Sequence, residues 1–320
     1  MHFRPATAHP IIGLATRSRF RLRVAVLSLF IATLSACGIP MGGGDSSHLQ
    51  GLIVDQQLNE ISGMVASKKF KDIYWVLNDG GNTANLYAID EYGSRVATLN
   101  VDGVRNTDWE DLSLYEKDGK SYLVVGDIGD NGGLRKTLQL HLFEEPDALT
   151  NSRIEPTRSI AFKYPDGPHD AEALAIDSAN DQAIIITKKR KPPLTFAVPL
   201  TAPHEKLVTA TALGEALHIP VASPEELKSR PKLAPYDHQV TAASIAPDRK
   251  SIAVMTYRYL LIYKRGGKES WGDALESKPT VRVLPIIPQA EAMSFTTDGG
   301  SVMATGEFSV APMFRIPVAQ

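Results

Sequence analysis

Beyond residue 48, apolar and polar positions alternate in short runs that end at Gly, Asp, Asn or Pro, and long stretches with helical periodicity are nearly absent. This pattern predicts an all-β protein. The runs repeat as a unit. Residues 61–66 and 73–79 flank a turn near Lys69, and 86–89 and 96–101 flank Tyr92-Gly93, which makes four strands. The first pair returns as 110–114 and 122–127 around Asp118-Gly119, and as 172–176 and 183–188 around Asn180-Asp181. It returns again as 242–245 and 252–258 around Pro247-Asp248, and as 291–295 and 302–307 around Asp298-Gly299. Five copies spaced by about 50–70 residues predict a β-propeller of four-stranded blades. Residues 207–236 have room for a sixth. Their prolines (Pro220, Pro224, Pro231, Pro235) and the helix start Ser223-Pro224-Glu225-Glu226-Leu227 read instead as an insertion, so the expectation is five or six blades. Residues 51–57 are the candidate strand that closes the ring, because the C-terminal run 313–318 otherwise leaves an open edge.

Ahead of this single propeller domain (49–320) the chain reads differently. Five of its 34 basic side chains (Arg4, Arg17, Arg19, Arg21, Arg23) and none of its 36 acids fall in residues 1–36, which leaves the remainder with seven more acids than bases. A mildly acidic body is a poor partner for nucleic acid, whose binding rests on neutralising phosphates. The apolar run 24–34 spans only about 16 Å as a helix, too short for a bilayer core, so residues 1–36 are expected to be a signal peptide. They end in Leu34-Ser35-Ala36-Cys37, which resembles the bacterial lipobox. By that resemblance Cys37 is the lipidation site and the membrane anchor. Gly38 after it implies the outer membrane of a Gram-negative cell, with the protein facing the periplasm or the cell surface. Residues 37–48, rich in Gly and Ser, form a flexible tether. Cys37 is the single cysteine, so there is no intrachain disulfide.

Stacking the five copies brings equivalent positions into rings around the central channel. The start of the first strand reads Ser62, Glu110, Glu172, Ala242 and Glu291; the end of the second reads Asn78 with Asp79, Asp127, Lys188, Tyr257 with Arg258, and Glu307. A hairpin returns to its starting edge, so both rings lie at the same end. Carboxylates crowded at a narrow mouth raise one another's pKa and need a counter-charge. That is either a divalent cation such as Ca²⁺, which takes oxygen ligands, or the bases Lys188, Lys189, Arg190 and Arg258. The loop from Asp127 to Gly132, with Asp130, offers oxygen ligands, or else is a turn in which Asp and Asn cap backbone amides. The candidates are therefore Glu110, Asp127 and Glu172 for catalysis, and Lys188, Arg258, Asn78 and Asp79 for holding an anionic small molecule. For metal they are Glu110, Asp127, Asp130, Glu172, Glu291 and Glu307. Trp109 reads as packing between blades. Nucleophile-elbow, phosphate-loop, dinucleotide and paired-histidine zinc motifs are absent.

Ile61-Ser62-Gly63, Asn78-Asp79-Gly80, Asp108-Trp109-Glu110-Asp111, residues 126–131 with Arg135, Tyr164-Pro165-Asp166-Gly167 and residues 170–174 resemble the signatures of bacterial extracytoplasmic β-propeller proteins. These are distantly similar to phytase-like and esterase-like propellers. The resemblance covers about residues 60–307. It implies that Glu110, Asp127, Glu172, Glu291 and Glu307 hold calcium and activate water, while Lys188 and Arg258 clamp a phosphate. The phytases' own motifs are absent, and Ala242 breaks the acid ring. The readings that follow are a cation-dependent phosphoester or ester hydrolase, a non-catalytic scaffold for an envelope protein, and a lactonase-like hydrolase. In the last, one metal sits on Glu110 or Glu172 with Asn78 and Asp127.

Overall fold

The inner strands of this chain are nearly continuous in burial, as strands are when both faces pack against neighbours. Ile61–Ala66, Ala171–Asp177 and Ala290–Phe295 are buried at every position. The computed structural model describes residues 46–204 and 206–318. Residues 1–45, which hold the expected signal peptide, Cys37 and most of the expected tether, lie outside the described residues.

Five sheets form five blades. Blade 1 runs from Ile61–Ala66 through Ile73–Asn78 and Asn85–Asp90 to Arg95–Val101, with Ser152–Ile154 added in parallel. Blade 2 comprises Trp109–Lys117, Lys120–Asp127, Leu138–Glu144 and Arg158–Lys163, with Val208–Thr209 added in parallel. Blade 3 comprises Ala171–Asp177, Gln182–Thr187, Leu194–Pro199 and Thr211–Glu215. Blade 4 comprises Val240–Ile245, Ser251–Thr256, Tyr259–Lys264 and Thr280–Val283. Blade 5 is Ala290–Phe295, Ser301–Gly306 and Ala311–Pro317, completed by His48–Ile53 from the start of the domain. The strand predicted at 51–57 thus begins a little earlier and closes the ring. Residues 207–236 do not form a sixth blade. They supply two outer strands and the short helix Pro224–Ser229, whose N-cap Ser223 and Glu226 form a reciprocal capping box.

Each inner strand packs against the next, blade 5 against blade 1 included. The core is accordingly five apolar clusters, one in each gap between blades. Among the described residues no helix is long and apolar enough to cross a membrane.

Candidate functional site

All five inner strands carry a β-bulge at the same place, immediately after their first paired residue. A bulge leaves one residue unpaired and re-aims its side chain. The bulged residues are Ser62, Glu110, Glu172, Thr241 and Glu291. This corrects the fourth position of the predicted ring from Ala242 to Thr241, because Ala242 pairs with Met255 on the far side of the bulge. The two hydroxyl members stitch blades together. Ser62 Oγ donates to the Trp109 carbonyl at 3.2 Å and Thr241 Oγ1 to the Ala290 carbonyl at 2.7 Å. An ionised glutamate has no proton to donate there, so Glu110, Glu172 and Glu291 are left for other work.

Two groupings result at one end of the channel. In the first, Asp79, Asp108 and Glu110 each bring one carboxylate oxygen within 4.8 Å of the others. Asp79 follows the second strand of blade 1, where its amide bonds the Glu60 carbonyl at 2.8 Å. Asn106 fixes the loop opposite: its amide nitrogen bonds the Asp79 carbonyl at 2.8 Å, and its oxygen accepts the Trp109 amide at 3.0 Å. Two glycines make the space. A Cβ on Gly129 would stand 2.0 Å from Glu110 Oε1 and 2.6 Å from the Asp108 carboxyl, and one on Gly80 would stand 2.3 Å from Asp108 Oδ1. Glu110 is only 4% exposed, and among the described residues no hydrogen bond or ion pair reaches its carboxylate. Burial, then Glu172 and Asp79, push its pKa well up. Burial pushes Asp79 to about 6 against the pull of the Gly80 amide. Burial also raises Asp108, opposed by Arg135.

In the second grouping Lys188 contacts Glu172 directly and lies 3.7 Å from Glu291. Tyr257 donates to Glu291 at 2.5 Å, and its ring lies 5.1 Å from the Lys188 ammonium. Burial would lower the Lys188 pKa, but Glu172 and Glu291 outweigh it and raise it. One ammonium thus serves two carboxyl groups. Glu172 is pushed to about 8 by burial, with Lys188 pulling back. Glu307, which accepts from Gln289, is pushed to about 9 by burial and by Glu291. The mouth holds more acid than base.

The remaining candidates sit apart. Asp127 pairs with Arg135 at 2.5 Å. Burial would raise its pKa, but His141 and Arg135 hold it below the usual carboxylate range. Asp130 accepts the Leu134 and Arg135 amides at 2.8 and 2.9 Å, the bonds of an amide-capped turn. Asn78 binds the Gln57 carbonyl at 2.6 Å. Arg258 carries no ion pair and acts on Glu226 of the insertion. Trp109 is fully buried in the cluster between blades 1 and 2. Asp108, part of the Asp108-Trp109-Glu110-Asp111 motif, joins the cluster although it is not among the sequence candidates. The position just ahead of the inner strand, acidic as Glu60, Asp108 and Asp170 in three blades, was the available signal.

No protein-family model matches this chain, and no curated protein matches it in sequence.

Proposed function

We propose that this protein is an envelope-anchored propeller whose acidic mouth seats a divalent cation, Ca²⁺ first, and with it binds and hydrolyses an anionic phosphoester or ester. The observation that carries the reading is Glu110, a buried carboxylate without a partner, grouped with two more acids around a space that Gly80 and Gly129 keep open. Buried charge without compensation is strongly unfavourable, and three hard oxygen donors suit a hard cation. Asp79, Asp108 and Glu110 would hold it. When bound, the cation supplies Lewis-acid polarisation of a carbonyl or phosphoryl oxygen. Lys188, fixed by Glu172 and Glu291, contributes a positive charge that does not wander. Tyr257 orients Glu291, and Glu307, whose pKa is raised by burial and by Glu291, is the acid available to a leaving group. Asp127 and Asp130 act as supports of the loop that carries Gly129.

Protein stripped with EDTA and then given Ca²⁺ at about 100 times its dissociation constant should gain about 2.7 kcal/mol. For a domain of this size that raises the melting temperature by about 5–10 °C. Glu110→Gln should abolish the rise. Turnover of 4-nitrophenyl phosphate, 4-nitrophenyl acetate and a γ-lactone, each with and without Ca²⁺, then assigns the bond class. Identical melting curves in EDTA and Ca²⁺, with no turnover in any arm, would sink the reading. The anchor is tested separately: labelled fatty acid should enter the wild type and not Cys37→Ala.

A further inference from the structure

The end of the channel opposite the acid mouth carries a second cavity of about 140 Å³, about ten times the roughly 10–15 Å³ that holds one water. The far ends of all five inner strands line it. Asp111 lies between the two ends, fully buried, its carboxylate accepting the Leu112, Leu174 and Ala243 amides. The cavity is thus separate from the acid mouth.

Its walls are of two kinds. Leu114 and Ile245, both half-buried, present apolar surface. Between them stand serines whose donors are not used up. Ser244 Oγ accepts the Phe295 amide at 3.2 Å and Ser178 Oγ accepts the Glu116 amide at 3.0 Å, which leaves each hydroxyl hydrogen free. Ser113 is 8% exposed, and among the described residues its hydroxyl makes no hydrogen bond. Ser294, by contrast, both accepts from Ala66 and donates to Phe295. Charge is confined to the rim. Lys68 is neutralised by Glu116 at 3.0 Å, whereas Arg249 has no ion pair among the described residues.

We propose that this cavity binds a sugar ring, independently of the acid mouth. A pyranose offers acceptor oxygens around its edge and C–H groups on its faces, which answers three unspent hydroxyl donors set among aliphatic walls. Arg249 at the rim favours a ring bearing a carboxylate. A purely ionic ligand would find no second charge, and a purely apolar one would strand the Ser113 hydroxyl.

The test is titration calorimetry of the full chain with glucose, glucuronate and inorganic phosphate, in EDTA and in Ca²⁺. Both sugars should bind with the same affinity in either condition. Ser113→Leu, which fills the cavity, should weaken both at least tenfold, and Arg249→Gln should weaken glucuronate while sparing glucose. If Ser113→Leu fails to fold, the Ser113→Ala, Ser178→Ala double variant removes hydroxyls without adding volume and should weaken both sugars. Absence of binding by either sugar overturns the proposal. So does unaltered binding in the variants, or phosphate binding as tightly as glucuronate. None of these results bears on the cation site.

Discussion

Asp108, Trp109, Glu110 and Asp111 are neighbours in the chain and divide among three different surroundings, because a bulge falls among them. Asp108 and Glu110 enter the acid cluster, Trp109 fills the gap between blades 1 and 2, and Asp111 accepts three backbone amides at the channel axis. Two substitutions separate these roles. Gly129→Ala places a methyl where the Glu110 and Asp108 carboxylates lie, and those are movable side-chain ends rather than backbone. Calorimetry should therefore find the fold intact in EDTA and the Ca²⁺-dependent rise in melting temperature gone. Trp109→Ala should do the reverse: a loss of about 3–5 kcal/mol in urea unfolding, with the remaining fold still responding to Ca²⁺. The acid ring itself was legible as repeated Glu110, Glu172 and Glu291. Thr241 was not, since a hydroxyl that donates to a carbonyl and a carboxylate at the channel mouth share a position without sharing chemistry. Asp127 looked equivalent to its neighbours in one dimension, and only folding reveals Arg135 beside it.

At the scale of strands and turns, the two inner strands of each blade were readable because they are buried runs bounded by turn residues. Lys117 faces Lys120 across Asp118-Gly119, whose φ values of 51° and 76° suit a two-residue hairpin turn. The outermost strands of blades 3 and 4 were not readable. Thr280–Val283 and Thr211–Glu215 are short and largely unburied, so their pattern carries little packing information. What holds them is partly polar. Asp177, at the end of blade 3's inner strand, accepts from Trp271 at 2.8 Å, where the helix Trp271–Glu276 begins, and from Arg265 at 3.2 Å. Burial would raise the Asp177 carboxyl, but Asn180, Trp271 and Arg265 hold it below its ordinary value. A folded pKa under the unfolded value of about 3.9 stabilises the fold above that value, and the gain is lost as pH falls through the folded pKa. Asp177→Asn should therefore melt lower than wild type at pH 7, and the gap should narrow below about pH 4. A gap that does not change with pH would remove the carboxylate from this role.

For the molecule as a whole, the ring is closed by a segment remote in sequence. His48–Ile53 pairs antiparallel with Ala311–Pro317, and Ile53 is fully buried in the cluster shared by blades 5 and 1. The sequence carried this only as an argument about edges: a last blade with three strands exposes unpaired amides and carbonyls. The closure has an energetic consequence. In a ring of five blades each gap is filled from both sides, so losing the closing strand opens the blade 5 edge and uncovers one of the five core clusters. Removing residues 46–53 deletes the buried Ile53, worth about 2–5 kcal/mol on its own by the scale of large-to-small core changes, together with the strand ladder. At about 2–4 °C per kcal/mol for a domain of this size, the melting temperature should fall by at least about 5–10 °C. The free edge of Ala311–Pro317 should also drive association visible by size-exclusion chromatography. Because the acid cluster proposed to seat the cation lies in blades 1 and 2, Ca²⁺ should still raise the melting temperature of whatever folded monomer remains. An unchanged melting temperature would mean that the ring does not depend on its closing strand.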